Sequence, residues 1–238
     1  MSPAALHGLA AVGIVICAVG GLRLGAAGHL VTFRAADGRN VQGLMVEASQ
    51  RPAPAVVLVP MLGRPKDDWQ AIAQRLADAN ITALSVDLPP RPASDDAGML
   101  ERWSADVRAA LSYLAGRPDV RPDALGMAGA SLGATLAAAA AAADPAVRAL
   151  VLISPSLDYR GVRLEAPLRA YGVRPALLIA SLRDPYAART VRELAKGPPG
   201  PRDAHWAETP AHGLVLLNRE PDLVRILVEW FQRTLGVQ

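Results

Sequence analysis

The stretch Leu125-Gly126-Met127-Ala128-Gly129-Ala130-Ser131-Leu132-Gly133, followed at once by an alanine-rich run to residue 143, decides the fold. Leu125 to Ala128 reads as a short buried strand. Residues 132 to 143 are dominated by the best and least bulky helix former and read as a close-packed helix. Between them, Gly129-Ala130-Ser131-Leu132-Gly133 must turn a strand into a helix within a few residues, which small neighbours make sterically possible. A serine at the apex of such a turn is pushed out of the sheet edge, with a helix amino terminus aimed at its reacting centre, where negative charge is favoured. The five-residue pattern arises by chance roughly one time in ten in a chain of this length. A strand before it and a helix after it raise Ser131 from an incidental turn residue to a candidate nucleophile.

Outward from this turn, strand-like and helix-like stretches alternate from about residue 29, the pattern of a mostly parallel sheet covered by helices on both faces. Leu30 to Arg34 and Val41 to Glu47 form an opening pair of strands around Asp37-Gly38. Ala55 to Val59 is a continuous apolar run, as expected of a central strand buried on both sides. Asp67-Asp68 is placed to cap a helix from Trp69 to Ala79, whose Trp69, Ile72, Ala73 and Leu76 share a face. Ile81 to Val86 is the next strand. Trp103 to Leu114 is a second amphipathic helix, and Val147 to Ile153 and Pro175 to Ala180 are further strands. Arg202 to Ala207 reads as the last strand, and Pro221 to Leu235 as a closing helix with proline in its first turn.

A serine hydroxyl is a poor nucleophile at neutral pH and needs a base, which in turn needs an orienting acid. Of four histidines, His7 and His29 precede the core strands, leaving His205 and His212. His205 falls within the last strand and reads as a core or strand-surface residue. His212 lies in the following Pro210-Ala211-His212-Gly213 loop and is the candidate base. Asp184 follows the strand that ends near Ala180, so it projects from the same sheet edge as Ser131 and is the candidate acid. Its rivals are Asp158, better suited to a turn, and Glu208, too near His212 in sequence to reach the ring. Asp203 and Asp222 read as solvated or cap acids. The resulting order, Ser, Asp, His, is one of the arrangements such triads take. An oxyanion would meet the backbone N–H of Leu132 at the helix start and a second donor in Pro60-Met61-Leu62-Gly63, with Leu62 the first choice and Met61 the fallback.

The chain has 238 residues, half of them apolar, enough for one core and short for two. Its net charge of +3 comes almost entirely from arginines interspersed with acids, which leaves no basic stripe for nucleic acid. The single cysteine, Cys17, precludes an intrachain disulfide and a cysteine-rich metal site. Residues 8 to 22 form an uncharged apolar run of the length of a signal-peptide core or marginal membrane anchor. Residues 1 to 27 are therefore expected to be a signal peptide or anchor, with cleavage possible before Gly28, and residues 28 to 238 a catalytic domain working outside the cytoplasm. Ile16 ahead of Cys17 argues against lipidation.

The motifs Val56 to Gly63 with Asp67-Asp68-Trp69, Leu125 to Gly133, Leu177 to Asp184 and Ala211-His212-Gly213 together resemble the α/β-hydrolase superfamily, more closely its compact members similar to dienelactone hydrolases and serine esterases. The resemblance spans roughly residues 30 to 235 and implies an oxyanion loop, a nucleophile elbow, an acid turn and a histidine loop at these four places. It departs from many relatives at Pro60-Met61, where His-Gly is common, so the Met61 side chain is expected to alter the loop and narrow the acyl pocket. The twenty residues from Ser154 to Val173 are too few for a separate cap domain. The function implied is hydrolysis of a carboxylic ester of a small acyl substrate through an acyl-enzyme, without metal or organic cofactor. Peptide, lactone or thioester cleavage and non-catalytic ligand binding are the alternatives.

Overall fold

A computed structural model describes residues 28–89, 98–159, 161–196 and 202–237. In chain order the elements are β1 (His29–Arg34), β2 (Asn40–Val46), β3 (Ala53–Val59), a 3-10 turn (Lys66–Trp69), α1 (Gln70–Asp78), β4 (Thr82–Val86), α2 (Gly98–Ala115), β5 (Val120–Ala130) and α3 (Leu132–Ala143). They continue with β6 (Val147–Ile153), the short pair β7 (Asp158–Tyr159) and β8 (Val162–Arg163), α4 (Glu165–Tyr171), β9 (Ala176–Ser181), α5 (Pro185–Ala195), β10 (Arg202–Ala207), α6 (Leu214–Arg219) and α7 (Pro221–Leu235). The main sheet runs β1-β2-β4-β3-β5-β6-β9-β10, with β2 antiparallel to both neighbours and every later pair parallel.

The central strands alternate their side chains between two cores, as the strand period of two requires. Val57 and Val59 join a core covered by α2, α3, α4 and α5. Val56 and Leu58 join one covered by α1, α6 and α7. This is the α/β-hydrolase fold without a separate cap domain: the described residues between 154 and 175 supply only the β7–β8 pair and the two-turn helix α4.

Several elements depart from the sequence reading for local reasons. Asp67 and Asp68 do not cap α1: Pro65 opens a 3-10 turn, Asp68 reaches back to Arg64 at 2.5 Å, and the α-helix begins only at Gln70. β5 is longer than Leu125 to Ala128, because Val120 already pairs with Ala53 before a register shift carries the strand past the exposed Pro122-Asp123. Proline is tolerated at such an irregularity, where no ladder donor is needed. Helix α2 starts at Gly98, ahead of Trp103. Asp203 is exposed, as expected of a solvated acid, and in addition accepts a hydrogen bond from Trp230 Nε1 at 2.6 Å, tying β10 to α7. The expected leader, residues 1 to 27, lies outside the described residues. Among the described residues, no helix is long and apolar enough to cross a membrane.

Helix α3 is the most buried helix face of the molecule, with Leu132, Gly133, Ala134, Thr135, Leu136, Ala137, Ala138, Ala140 and Ala141 all covered. Its start is locked against the sheet by two glycines. A Cβ on Gly129 would lie 2.0 Å from the Gly133 carbonyl oxygen, and one on Gly133 would lie 2.3 Å from the Val59 carbonyl oxygen. Both obstacles are backbone and cannot rotate away. Gly133→Ala is therefore expected to cost about 3 kcal/mol or more in a urea melt, since overpacking against rigid neighbours typically costs 1–3 kcal/mol. Gly38→Ala, at φ +82° with open space around it, should cost only about 1 kcal/mol. Equal losses would contradict the tight β3–α3 contact.

Candidate active site

Strand register sets the site. Ala130 lies beside Ile153, and Ile153 beside Ile179. The pairing runs one residue further, because the Ser131 N–H donates to Ile153 O at 2.9 Å and the Ser154 N–H to Ile179 O at 2.7 Å. Ser131 and Ser154 thus stand side by side at the carboxyl ends of β5 and β6, and Ser181 ends β9 one residue beyond the position beside Ser154. Ser131 has φ 53° and ψ −117°, a backbone conformation that non-glycine residues rarely occupy and that costs of order 1–3 kcal/mol. It is partly exposed, while the residues on both sides of it are buried.

Asp184 follows β9 and accepts the Ala187 N–H at 3.2 Å as the N-cap of α5, with proline next in the chain. Its second oxygen, Oδ2, lies 2.5 Å from His212 Nδ1. A carboxylate can only accept, so Nδ1 carries the proton in that pair and Nε2 of a neutral ring is left as an acceptor. The cap fixes the acid's backbone and one oxygen while the other orients the imidazole. Asp184 is largely covered, and His212 is 41% exposed.

The loop carrying His212 is tied down along its length. Ser181 Oγ donates to Thr209 O at 2.6 Å, the Thr209 N–H donates to Glu220 Oε1 at 2.8 Å, and Arg219 donates to Pro210 O at 3.1 Å. The Gly213 N–H then donates to Ser154 Oγ at 2.9 Å and the Leu214 N–H to Met61 Sδ at 3.4 Å. The loop therefore runs from the end of β9, across the end of β6, to the segment after β3. Since β5 lies between β3 and β6 in the sheet, this course spans the edge where Ser131 emerges. Gly213 has φ +58°, and a Cβ there would meet Met61 Sδ at 2.5 Å, so glycine is required directly after the histidine. Among the described residues no hydrogen bond joins the Ser131 hydroxyl to the His212 ring.

The Met61 side chain packs on the histidine loop at Gly213 and Leu214, among residues of the α6–α7 core. Leu62, by contrast, lines a recess of about 360 Å³ together with Leu132. Among the described residues no acceptor takes the N–H of Leu62, Met61 or Leu132. The first turn of a helix leaves such donors unpaired by its geometry, and the short turn closed by the Arg64 N–H on Met61 O leaves those of the β3 loop.

The rivals fall away from the edge. His205 sits within β10 opposite Ile179, two residues short of the strand end. Asp158 accepts the Gly161 N–H at 2.7 Å and shapes the β7–β8 turn. Glu208 is exposed. Ser154 and Ser181 were not singled out from the sequence, and the only available signal was a serine ending each of two predicted strands. Among the described residues, no group of histidine, cysteine or acidic side chains is arranged to hold a metal ion.

No family model and no curated protein sequence matches the chain. Solved structures do. DcsB, determined with a substrate analogue, superposes with a TM-score of 0.74 at 15% identity over 88% of this chain and 100% of its own. A dienelactone hydrolase from Anabaena variabilis gives 0.74 at 18% over 88% and 99%. The thermostable carboxylesterase EstE1, from a metagenomic library, gives 0.67 at 21% over 90% of each chain. At these identities the likeness is one of fold.

Glu220 anchors the histidine loop, and its carboxyl is held below the ordinary glutamate value of 4.5 by hydrogen bonding from Thr209, through the side chain and then the backbone N–H. A group whose pKa is depressed on folding stabilises the folded state above its unfolded value and loses that contribution as pH falls through the folded one. Glu220→Gln should therefore be less stable than the parent at neutral pH, with the gap closing in urea melts taken below pH 4.5. A gap independent of pH would contradict the ionic anchor.

Proposed function

We propose that this chain is a serine hydrolase that cleaves a carboxylic ester of a small substrate through an acyl-enzyme on Ser131. The observation that carries the reading is the Asp184–His212 hydrogen bond of 2.5 Å, held on loops from the sheet edge where Ser131 occupies a strained strand-to-helix turn. Several structural neighbours are described as esterases, and one as a dienelactone hydrolase. These descriptions support the same chemistry here.

In the first half-reaction His212 Nε2 takes the hydroxyl proton as Ser131 Oγ attacks the ester carbonyl carbon. Asp184 keeps Nδ1 protonated and stabilises the imidazolium that forms. The carbonyl oxygen becomes an oxyanion between the N–H groups of Leu132 and Leu62, where preorganised donors are each worth about 10²–10³ in rate. Collapse of this intermediate breaks the bond to the alcohol oxygen, which leaves with the proton from Nε2. In the second half-reaction water gives its proton to Nε2, attacks the acyl carbon and releases the acid, and the proton returns to Ser131. General acid–base transfer of this kind contributes about 10²–10⁴. The reaction requires no group beyond these residues and water.

Turnover of p-nitrophenyl acetate tests the assignment. Ser131→Ala and His212→Ala should each lower kcat/KM by about 10³-fold or more, and Asp184→Asn by about 10²–10⁴-fold through the wrong tautomer. Undiminished turnover in His212→Ala would move the base to another residue, and undiminished turnover in Ser131→Ala would end the serine mechanism.

A further inference from the structure

The recess that holds Leu62 and Leu132 has no residue of the histidine loop in its wall. Its lining comes from the segment after β3, the segment after β4, helix α2 and the first residue of α3. In the sheet order β4-β3-β5-β6-β9, the recess therefore lies on the β4 side of Ser131, and the Asp184–His212 pair lies on the β9 side. The two flanks of the nucleophile are chemically distinct. A leaving alcohol must end within reach of His212 Nε2 to receive its proton, which fixes it on the β9 side. With the carbonyl oxygen turned to Leu62 and Leu132, the remaining substituent of the reacting carbon points towards the recess.

The walls state what fits there. Leu62, Leu88, Trp103 and Leu132 supply apolar surface, and the Trp103 ring is fixed by its Nε1 bond to Pro89 O at 3.0 Å. Among the described residues one cation and one anion line the recess, and each is already engaged: Arg64 Nε with Asp68 at 2.5 Å, and Asp87 with Lys66 Nζ at 2.8 Å. Lys66 is itself buried, so this second pair is a fixed, neutralised part of the wall. The recess measures about 360 Å³, against roughly 150 Å³ for a cavity that takes up benzene.

We infer that this recess is the acyl site and that it takes an uncharged apolar acyl group of medium size, of the order of hexanoyl or phenylacetyl. The inference rests on the Ser131 reaction proposed above, and it assigns Leu88, on the loop after β4, as a residue that sets acyl length. Long fatty acyl chains overfill the recess, and an acyl group ending in a carboxylate finds no uncommitted cation among the described residues of its wall.

The test is a p-nitrophenyl ester series from acetate through hexanoate to laurate, with phenylacetate and the succinate half-ester, run beside fluorophosphonate labelling. Burial of each methylene should raise kcat/KM by about fourfold until the recess is full, so hexanoate should exceed acetate by tenfold or more, with laurate and the half-ester well below hexanoate. Leu88→Trp should cut the hexanoate-to-acetate ratio at least tenfold, and Leu88→Ala should move the optimum to longer chains. A series of acetates with lengthening alcohols should keep its order in both variants. If wild type labels but shows no acyl preference, or if the Leu88 variants reorder the alcohol series instead, the acyl assignment is overturned while the serine mechanism stands. Absence of both label and turnover in folded wild type would overturn the two together.

Discussion

The site depends on one close approach of main chain to main chain. Helix α3 begins so near β3 and β5 that no Cβ is tolerated at Gly129 or Gly133, where it would collide with carbonyl groups at 2.0 and 2.3 Å. Of the three residues between them, the middle one takes the positive-φ conformation of the turn, and it is a serine. The strain at Ser131 is local, whereas the force that sustains it is distributed over an alanine-rich helix buried along its length. Small side chains give α3 both good helix propensity and short packing distance. The same contact leaves the Leu132 N–H unpaired at the helix start and sets Leu132 in one recess with Leu62 of the loop after β3.

A second constraint is the way the histidine is held. A loop over a sheet edge would ordinarily be the mobile part of a site. Here its backbone is bonded at Thr209, Pro210, Gly213 and Leu214 by Ser181, Glu220, Arg219, Ser154 and Met61. Two of these anchors, Ser154 and Ser181, stand at the ends of β6 and β9, the two strands that follow β5 in the sheet, so the register that presents Ser131 also fixes the loop opposite it. Met61 joins the segment after β3 to the histidine loop through its sulfur. An imidazole oriented by Asp184 on so constrained a backbone needs little reorganisation to act, which is the condition for efficient preorganised catalysis.

Much of this was legible in the sequence because the determining patterns are local. The apolar run Ala55 to Val59, the alanine-rich segment after Ser131 and the Pro221 helix carry their periodicity within single windows, and they form the expected elements. The pairing of Asp184 with His212 was also readable, since each lies in the loop that follows one of two neighbouring parallel strands, β9 and β10. What was not readable depends on partners far along the chain. Asp68 had a cap's identity but found Arg64 instead. Pro122-Asp123 hid the first half of β5, whose pairing is supplied by Ala53 and not by apolar alternation. Helix α5 carried its own signals, Asp184-Pro185 and the buried Ala187, Val191 and Leu194, but they sit within a strongly polar stretch. The Met61 side chain could not be placed without knowing that Gly213 leaves space for it.

The central claim is that, of three serines at the ends of successive strands in the sheet, Ser131 alone is the nucleophile. Ser154 and Ser181 are buried and committed to holding the loop, whereas Ser131 is strained and partly exposed. Peptide mapping by mass spectrometry after stoichiometric reaction with a fluorophosphonate locates the modified side chain directly. The account predicts a single phosphonyl adduct, on Ser131. An adduct on Ser154, Ser181 or any other residue, with Ser131 unmodified, would contradict it.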